Sequence, residues 1–368
     1  MNDDRSILDR ARLARDPRFD GLFFIGVKST GIYCRPICPA RPPRPENIVY
    51  YPTAAAAAAA GLRPCLRCRP ETAPGTPAWN GTSATVARAM HLIRQGALDD
   101  DSVTTLAARL GVSSRHLRRL FRQHIGTTPK AIAGHQRLLF AQKLVTETDL
   151  PITQAAHAAG YGSLSRFNAD FRRYIGRPPS ELRRKRTYPS QAPSFGFHCT
   201  LTLAYRPPYD WQRMLSFFRL RAIPGVEWVE ESTFRRTIRM PAATGIITLR
   251  HAPKGHALEL EMDMDDSREV MTVVERVRRM FDLDANAPAI HRTLERDPLL
   301  AKRIREAPGM RIPGAWDPFE TAVRAVIGQQ ISVKGAMTQL GRLARLVGPR
   351  IRLAVEPRLT RFFPDAAE

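Results

Sequence analysis

Residues 30–43 read TGIYCRPICPARPP and residues 61–68 read GLRPCLRC, so four of the five cysteines in the 368-residue chain stand in two close pairs. The spacings are Cys34-x3-Cys38 and Cys65-x2-Cys68, with 26 residues between the pairs. Paired, short-spaced cysteines meet the four-ligand tetrahedron of zinc with little loop strain. The start, MNDDRSILDR, lacks the basic and apolar regions of a signal peptide. That predicts a cytoplasmic, reducing setting, where clustered cysteines are metal ligands or reactive thiols more often than disulfides. One Zn2+ held by Cys34, Cys38, Cys65 and Cys68 is therefore expected, while Cys199 reads as a small buried apolar residue of a strand. Between the pairs, Thr53 can cap the alanine run 54–60 as a helix, and Gly61 can close it in the left-handed conformation.

The rest of the chain is strongly basic. Lys and Arg number 57 against 35 Asp and Glu, a formal charge of +22. Most of the excess is arginine, whose planar fork matches phosphate and guanine edges, so a nucleic acid is the expected partner. No apolar run approaches the roughly 18 residues of a membrane span.

Composition breaks at PETAPGTPAWNGTS (70–83) and RRKRTYPSQAPSF (183–195), both linker-like, and shifts again near residue 285. We expect a multidomain α+β chain in four parts. Residues 1–75 form a small zinc-bound α/β domain, 82–186 an all-α domain, 196–285 an antiparallel sheet with helices, and 286–368 a further helical segment.

The second part repeats itself. Residues 103–129 and 152–179 share a plan in which Phe121, Ile125, Gly126 and Pro129 answer Phe171, Ile175, Gly176 and Pro179. Each copy starts with a short helix whose apolar residues recur at i, i+3, i+4 and i+7, turns at Gly111 or Gly160, and continues in a helix capped by Ser113 or Ser163. With Leu117, Leu120 and Phe121 inside, the first of these capped helices presents Arg115, His116, Arg118, Arg119 and Arg122 outward; the second presents Ser165, Arg166, Asn168 and Arg172. That is the layout of two DNA-reading helix-turn-helix units, joined by a helix over 130–148. A lone copy would equally suit a plain helical hairpin with a solvated basic face.

From Phe197 the pattern alternates. Phe197, Cys199, Leu201, Leu203 and Tyr205 oppose His198, Thr200 and Thr202, and ALELEMDM (257–264) behaves likewise. With TFRRTIRM and GIITLRH these segments predict an antiparallel sheet with one wet face, covered on the other by the helices YDWQRMLSFFRLRAI and REVMTVVERVRRMFDL.

Three resemblances sharpen the expectation. The stretch 23–71, with its TGIYCRPIC and RPCLRC frame and Ser29 in place of a usual threonine, resembles the amino-terminal domain of the Ada family of bacterial methylation-response proteins. The resemblance implies irreversible, single-turnover transfer of a methyl group from a DNA methylphosphotriester to Cys34. Zinc would keep that sulfur ionised, and methylation would halve the net negative charge of the cluster and so favour DNA binding. It also assigns DNA contacts to Thr30, Arg41, Arg63 and Arg67, while Pro39 stands where the family has an arginine. The paired helix-turn-helix units resemble the AraC-type DNA-binding domain, implying promoter recognition and contact with RNA polymerase.

YRPPYDWQRMLSFFRLRAIPGVE and PGMRIPGAWDPFETAVRAVIGQQISVKGA resemble AlkA-type 3-methyladenine DNA glycosylases, with Gln330 at the position of the DNA-inserting wedge. The glycosylase hairpin and catalytic aspartate are absent from this sequence, so that part reads as a truncated start of a helical glycosylase domain without activity; Asp317 reads as a helix cap. No PCHRV-like O6-alkylguanine acceptor site occurs. Two other readings stay open at this point: a working glycosylase with regulatory appendages, and a zinc-stabilised transcription factor that transfers no methyl group.

Overall fold

A computed structural model describes residues 2–70, 73–74, 84–94, 96–98, 101–183, 195–351 and 356–367. The two anticipated linkers lie almost wholly outside the described residues.

The first part opens with α1 (Asn2–Leu13) and continues into a four-stranded sheet of order β3-β1-β2-β4. In it β1 (Phe24–Val27) is antiparallel to β2 (Ile32–Cys34) and β3 (Ile48–Tyr51), and β4 (Arg63–Pro64) runs parallel to β2. The alanine run forms α2 (Ala54–Ala59), where the Thr53 hydroxyl accepts the Ala56 N–H at 2.9 Å and Gly61 follows at φ +85°. Ala54, Ala55 and Ala57 are buried, so the absence of larger side chains lets this short helix lie close against its neighbours.

The all-α part comprises α3 (Ala84–Arg94), α4 (Val103–Arg109), α5 (Ser114–Ile125), α6 (Pro129–Glu147), α7 (Ile152–Ala158), α8 (Leu164–Asp170) and α9 (Pro179–Leu182). Ser113 and Ser163 cap α5 and α8 by accepting the N–H of His116 and Arg166, and Gly111 and Gly160 turn at φ +70° and +79°. A π-helical turn, Phe171–Ile175, extends α8, a departure from the first copy, whose capped helix stays α-helical to Ile125. The connecting helix α6 is buried on several faces, through Ile132, Leu138, Ala141, Leu144 and Val145 among others. Such a helix is packed all round rather than on one stripe: α2 of the first part and the sheet of the third both lean on it.

That third sheet has the order β5-β9-β8-β7-β6 and is antiparallel throughout. Its strands are β5 (Phe197–Ala204), β6 (Glu227–Val229), β7 (Thr233–Arg239), β8 (Thr244–Ala252) and β9 (Ala257–Met264). Helices α10 (Trp211–Arg221) and α11 (Val270–Met280) supply Trp211, Met214, Leu215, Val273 and Val277 to its core. Cys199 is buried in β5. The expected wet face is wet only in part. Thr237 of β7 is buried because the tail packs over that end of the sheet, its Oγ1 donating to the Arg361 carbonyl at 2.7 Å; on the opposite, core-facing side of β7, beside Phe234 and Ile238, the buried Arg236 has Nη1 2.5 Å from Glu227 and bonds Glu320 of a later helix through Nη2. The later helix is α14 (Pro318–Ile327); α12 (Ala287–Leu294), α13 (Pro298–Glu306) and α15 (Val333–Leu346) make up the rest of the last part with the tail.

Core contacts do not respect the compositional breaks. One apolar cluster runs from Leu138, Phe167 and Phe171 of the second helix-turn-helix unit into Leu201, Leu258 and Val277 of the sheet domain. The first unit keeps its own core around Leu106, Leu117 and Phe121. Among the described residues, no helix is long and apolar enough to cross a membrane.

Candidate metal centre and nucleic-acid interface

Strand β2 and the turn after it carry Cys34 and Cys38, while β4 leads into the turn that holds Cys65 and Cys68. The parallel pairing of β2 with β4, Tyr33 opposite Pro64, brings the two pairs side by side. All four Sγ atoms lie within 4.8 Å of one another, and those of Cys38 and Cys65 are 4.0 Å apart. A tetrahedron with metal–sulfur bonds of about 2.3 Å has edges of about 3.8 Å. The four sulfurs are thus placed to hold one metal ion, and an all-sulfur tetrahedral set suits zinc.

The sulfurs are not equivalent. Cys65 and Cys68 are buried, whereas Cys34 and Cys38 are half-exposed. The Arg35 N–H is directed at Cys68 Sγ at 3.3 Å, and the backbone N–H groups of Ala40 and Cys68 are directed at Cys38 and Cys65. Without a cation the thiols share protons unequally: contact with Cys34 pulls Cys38 down to about 7, and contacts with Cys38 and Cys65 push Cys34 up.

A buried ion pair fixes the loop between the first two cysteines. Arg35 Nε donates to Asp20 Oδ1 at 2.8 Å, its Nη2 bonds Oδ2, and its Nη1 donates to the Cys68 carbonyl at 3.1 Å. The Asp20 carbonyl in turn accepts Nε of the fully buried Arg206 at 2.9 Å, so the sheet domain reaches the metal-site loop.

Cys34 lies in a groove of about 340 Å3 lined also by Thr30, Cys38, Arg41, Cys65 and the arginines Arg12 and Arg15. Of the residues expected from the sequence to contact DNA, Thr30 and Arg41 share this groove with Cys34; Arg63 and Arg67 are exposed but outside it. Arg63 lies over the end of the second helix-turn-helix unit, where a Cβ built on Gly176 would come 2.7 Å from its Nη1. Arg115, Arg118, Arg119 and Arg122 are exposed on α5, and His116 is half-buried with its Nδ1 3.2 Å from Arg119 Nη2. Ser165 and Arg166 on α8 and Arg172 just beyond it are exposed, and Asn168 is half-buried. Gln330 sits at the exposed turn between α14 and α15 with φ +59° and does not line the cysteine groove. Reading the sequence passed over Arg12 and Arg15: three apart near the end of an N-terminal helix, they look like any solvated pair.

Comparison with known proteins follows this geometry. Residues 8–71 match the metal-binding domain of Ada, 106–185 a helix-turn-helix domain, and 200–317 the AlkA N-terminal domain. Over 350 residues the chain is 43% identical to a "probable bifunctional transcriptional activator/DNA repair enzyme AlkA" of Mycobacterium tuberculosis strain H37Rv, covering 95% of this chain and 70% of that one. The chain belongs to the Ada/AlkA family of bifunctional activators and DNA repair enzymes. Within that family it is also 43% identical over 122 residues to the Escherichia coli "bifunctional transcriptional activator/DNA repair enzyme Ada", covering 32% of each. A crystal structure of a methylated N-Ada/DNA complex is 39% identical, covers 37% of this chain and 98% of its own, and superposes with a TM-score of 0.18.

Proposed function

We propose that this chain removes methyl groups from DNA methylphosphotriesters onto Cys34 and, once methylated, binds promoter DNA through its two helix-turn-helix units to activate transcription. The observation that carries this reading is the cluster itself: four convergent sulfurs, of which the half-exposed Cys34 opens into an arginine-lined groove.

Cys34, Cys38, Cys65 and Cys68 would hold Zn2+, which when bound keeps the sulfurs ionised at neutral pH. Cys34 Sγ attacks the methyl carbon in line. The S–C bond forms as the C–O bond breaks, and the electron pair leaves on the phosphate oxygen, which becomes an ordinary phosphodiester. No proton moves, so no general base is needed. Thr30 and Arg41 position the backbone in the groove, with Arg63 and Arg67 on the flanking surface, and the stable thioether limits each molecule to one turnover. Arg115, His116, Arg118, Arg119 and Arg122, with Ser165, Arg166, Asn168 and Arg172, face the major grooves. The reading places the protein in the cytoplasm with its DNA, and an activator of this kind contacts RNA polymerase.

We assign base excision to no residue of these 368. Asp317 is engaged as the cap of α14, accepting the N–H of Phe319 and Glu320 at 2.8 and 3.2 Å, and Asp365 lies 3.4 Å from Arg239. Gln330 at the α14–α15 turn remains the candidate to touch DNA from that side.

Intact-protein mass spectrometry after incubation with methylphosphotriester DNA tests the reading. One added methyl, mapped to Cys34 and absent from Cys34→Ser, is expected. Bound zinc with no methyl on any cysteine would leave a zinc-stabilised transcription factor instead.

A further inference from the structure

The groove in front of Cys34 includes Arg12, in the last turn of α1, and Arg15, in the turn just beyond it, and they are in different states. Arg12 is buried and already engaged: its Nη2 lies 3.1 Å from Asp9 Oδ1 and its Nε 3.3 Å from Tyr50 Oη, which itself donates to Asp9. Its charge is paired with Asp9, while its buried Nη1 has no hydrogen-bond partner among the described residues. Arg15 is exposed, and among the described residues no carboxylate pairs with it.

Arg15 is nevertheless held in place. Its backbone sits at φ +49°, an uncommon conformation for a residue with a side chain, fixed because its N–H bonds the Arg12 carbonyl at 3.2 Å and the next N–H, of Asp16, bonds the Ala11 carbonyl at 3.0 Å. Its Nη2 reaches across the groove rim to the carbonyls of Pro39 and Ala40, at 3.4 and 3.3 Å. Those carbonyls belong to the segment between Cys38 and Arg41. Among the described residues only one nitrogen of the fork is used and no carboxylate is paired with it, so Nε and Nη1 are available to a ligand.

A methylated phosphotriester is neutral and offers a guanidinium no charge to bind. The nearest anions on the same strand are the flanking phosphodiesters, whose two free oxygens match an arginine fork. We infer that Arg15 binds a phosphodiester flanking the methylated one and thereby sets the approach of the methyl carbon to Cys34. Pro39 has no charge to offer there; Arg15 brings one to its carbonyl. The inference rests on the acceptor function proposed above.

The test uses the full chain loaded with zinc and two methyl donors: duplex DNA carrying a methylphosphotriester, and methyl iodide, which has no phosphate. Methyl gain at Cys34 is followed by mass over a series of salt concentrations. For Arg15→Ala the DNA reaction is expected to slow about tenfold at low salt, with the logarithmic salt dependence shallower by about 1. Arg15→Lys should recover part of the rate, and the methyl iodide rate should not change. Wild-type transfer from DNA with an unaltered rate and salt dependence in Arg15→Ala overturns the Arg15 assignment alone. An equal loss with methyl iodide overturns it too, since Arg15 would then serve only to brace the Pro39–Ala40 segment. A wild-type chain methylated by methyl iodide and never by DNA overturns the acceptor function and this assignment together.

Discussion

At the scale of single residues, the proposed chemistry turns on Cys34, half-exposed in the groove that it shares with Thr30 and Arg41. Cys68 receives the Arg35 N–H, and Cys38 and Cys65 receive N–H groups from Ala40 and Cys68, so their electron density is partly withdrawn. Metal removal should expose the difference. With a chelator present, contacts with Cys38 and Cys65 keep Cys34 a thiol at neutral pH, and a thiol is a poor nucleophile. Methyl uptake should therefore stop and return when zinc is restored; uptake that persists through chelation would contradict the acceptor reading. The cysteine spacing made the four ligands legible in the sequence. Their unequal exposure was not, because it depends on how the turns after β2 and β4 are packed.

At the scale of elements, the two capped helices carry DNA recognition in the proposed function, and α6 carries the packing. Arg118→Ala is expected to weaken binding to promoter DNA by about 1 to 3 kcal/mol while leaving methyl uptake intact, since Arg118 is exposed on α5 and has no place in the cysteine groove. Electrophoretic mobility shifts beside mass spectrometry check both halves of that expectation.

On α6, His135 faces Tyr33 of β2, with Nε2 3.2 Å from the phenol oxygen, and burial pulls its pKa down to about 4. A depressed histidine pKa stabilises the fold above the ordinary value near 6.5, and that contribution is lost as pH falls toward 4. Between pH 7 and 5 the loss amounts to about 2 kcal/mol. Urea unfolding at the two pH values should show it in the wild type and much less of it in His135→Gln. Helix periodicity revealed α6 as a connector; that its several buried faces meet three parts of the molecule could not be read from a single stripe.

At the scale of the whole molecule, Glu147 at the end of α6 ties the parts together. Its carboxylate takes Lys143 Nζ at 2.8 and 2.9 Å, Arg69 Nη2 at 3.2 Å from the turn after Cys68, and the Thr202 N–H of β5 at 3.0 Å. Burial opposes its charge, but Lys143, Thr202 and Arg69 outweigh burial and hold its pKa below the usual value. Removing one member of such a buried set leaves uncompensated charge and costs about 3 to 5 kcal/mol. Glu147→Gln should lower the urea midpoint accordingly and separate unfolding of the cysteine domain from that of the sheet domain. A single unshifted transition would show that the parts are coupled elsewhere.

The sequence by itself determined the chemistry-bearing parts, because each rests on local spacing: paired cysteines, Ser113 and Ser163 as caps, Gly111 and Gly160 as turns, and period-two strands at 197–205 and 257–264. Tertiary structure alone decided how those parts meet. The core shared by Phe171 and Leu201, the buried pair of Arg236 with Glu320 and the bond from Arg206 to the Asp20 carbonyl all join residues dozens or more apart in the chain. So does the placement of Arg15 beside Pro39. A charged residue's partner across such a separation is set by folding geometry, and neither composition nor periodicity encodes it.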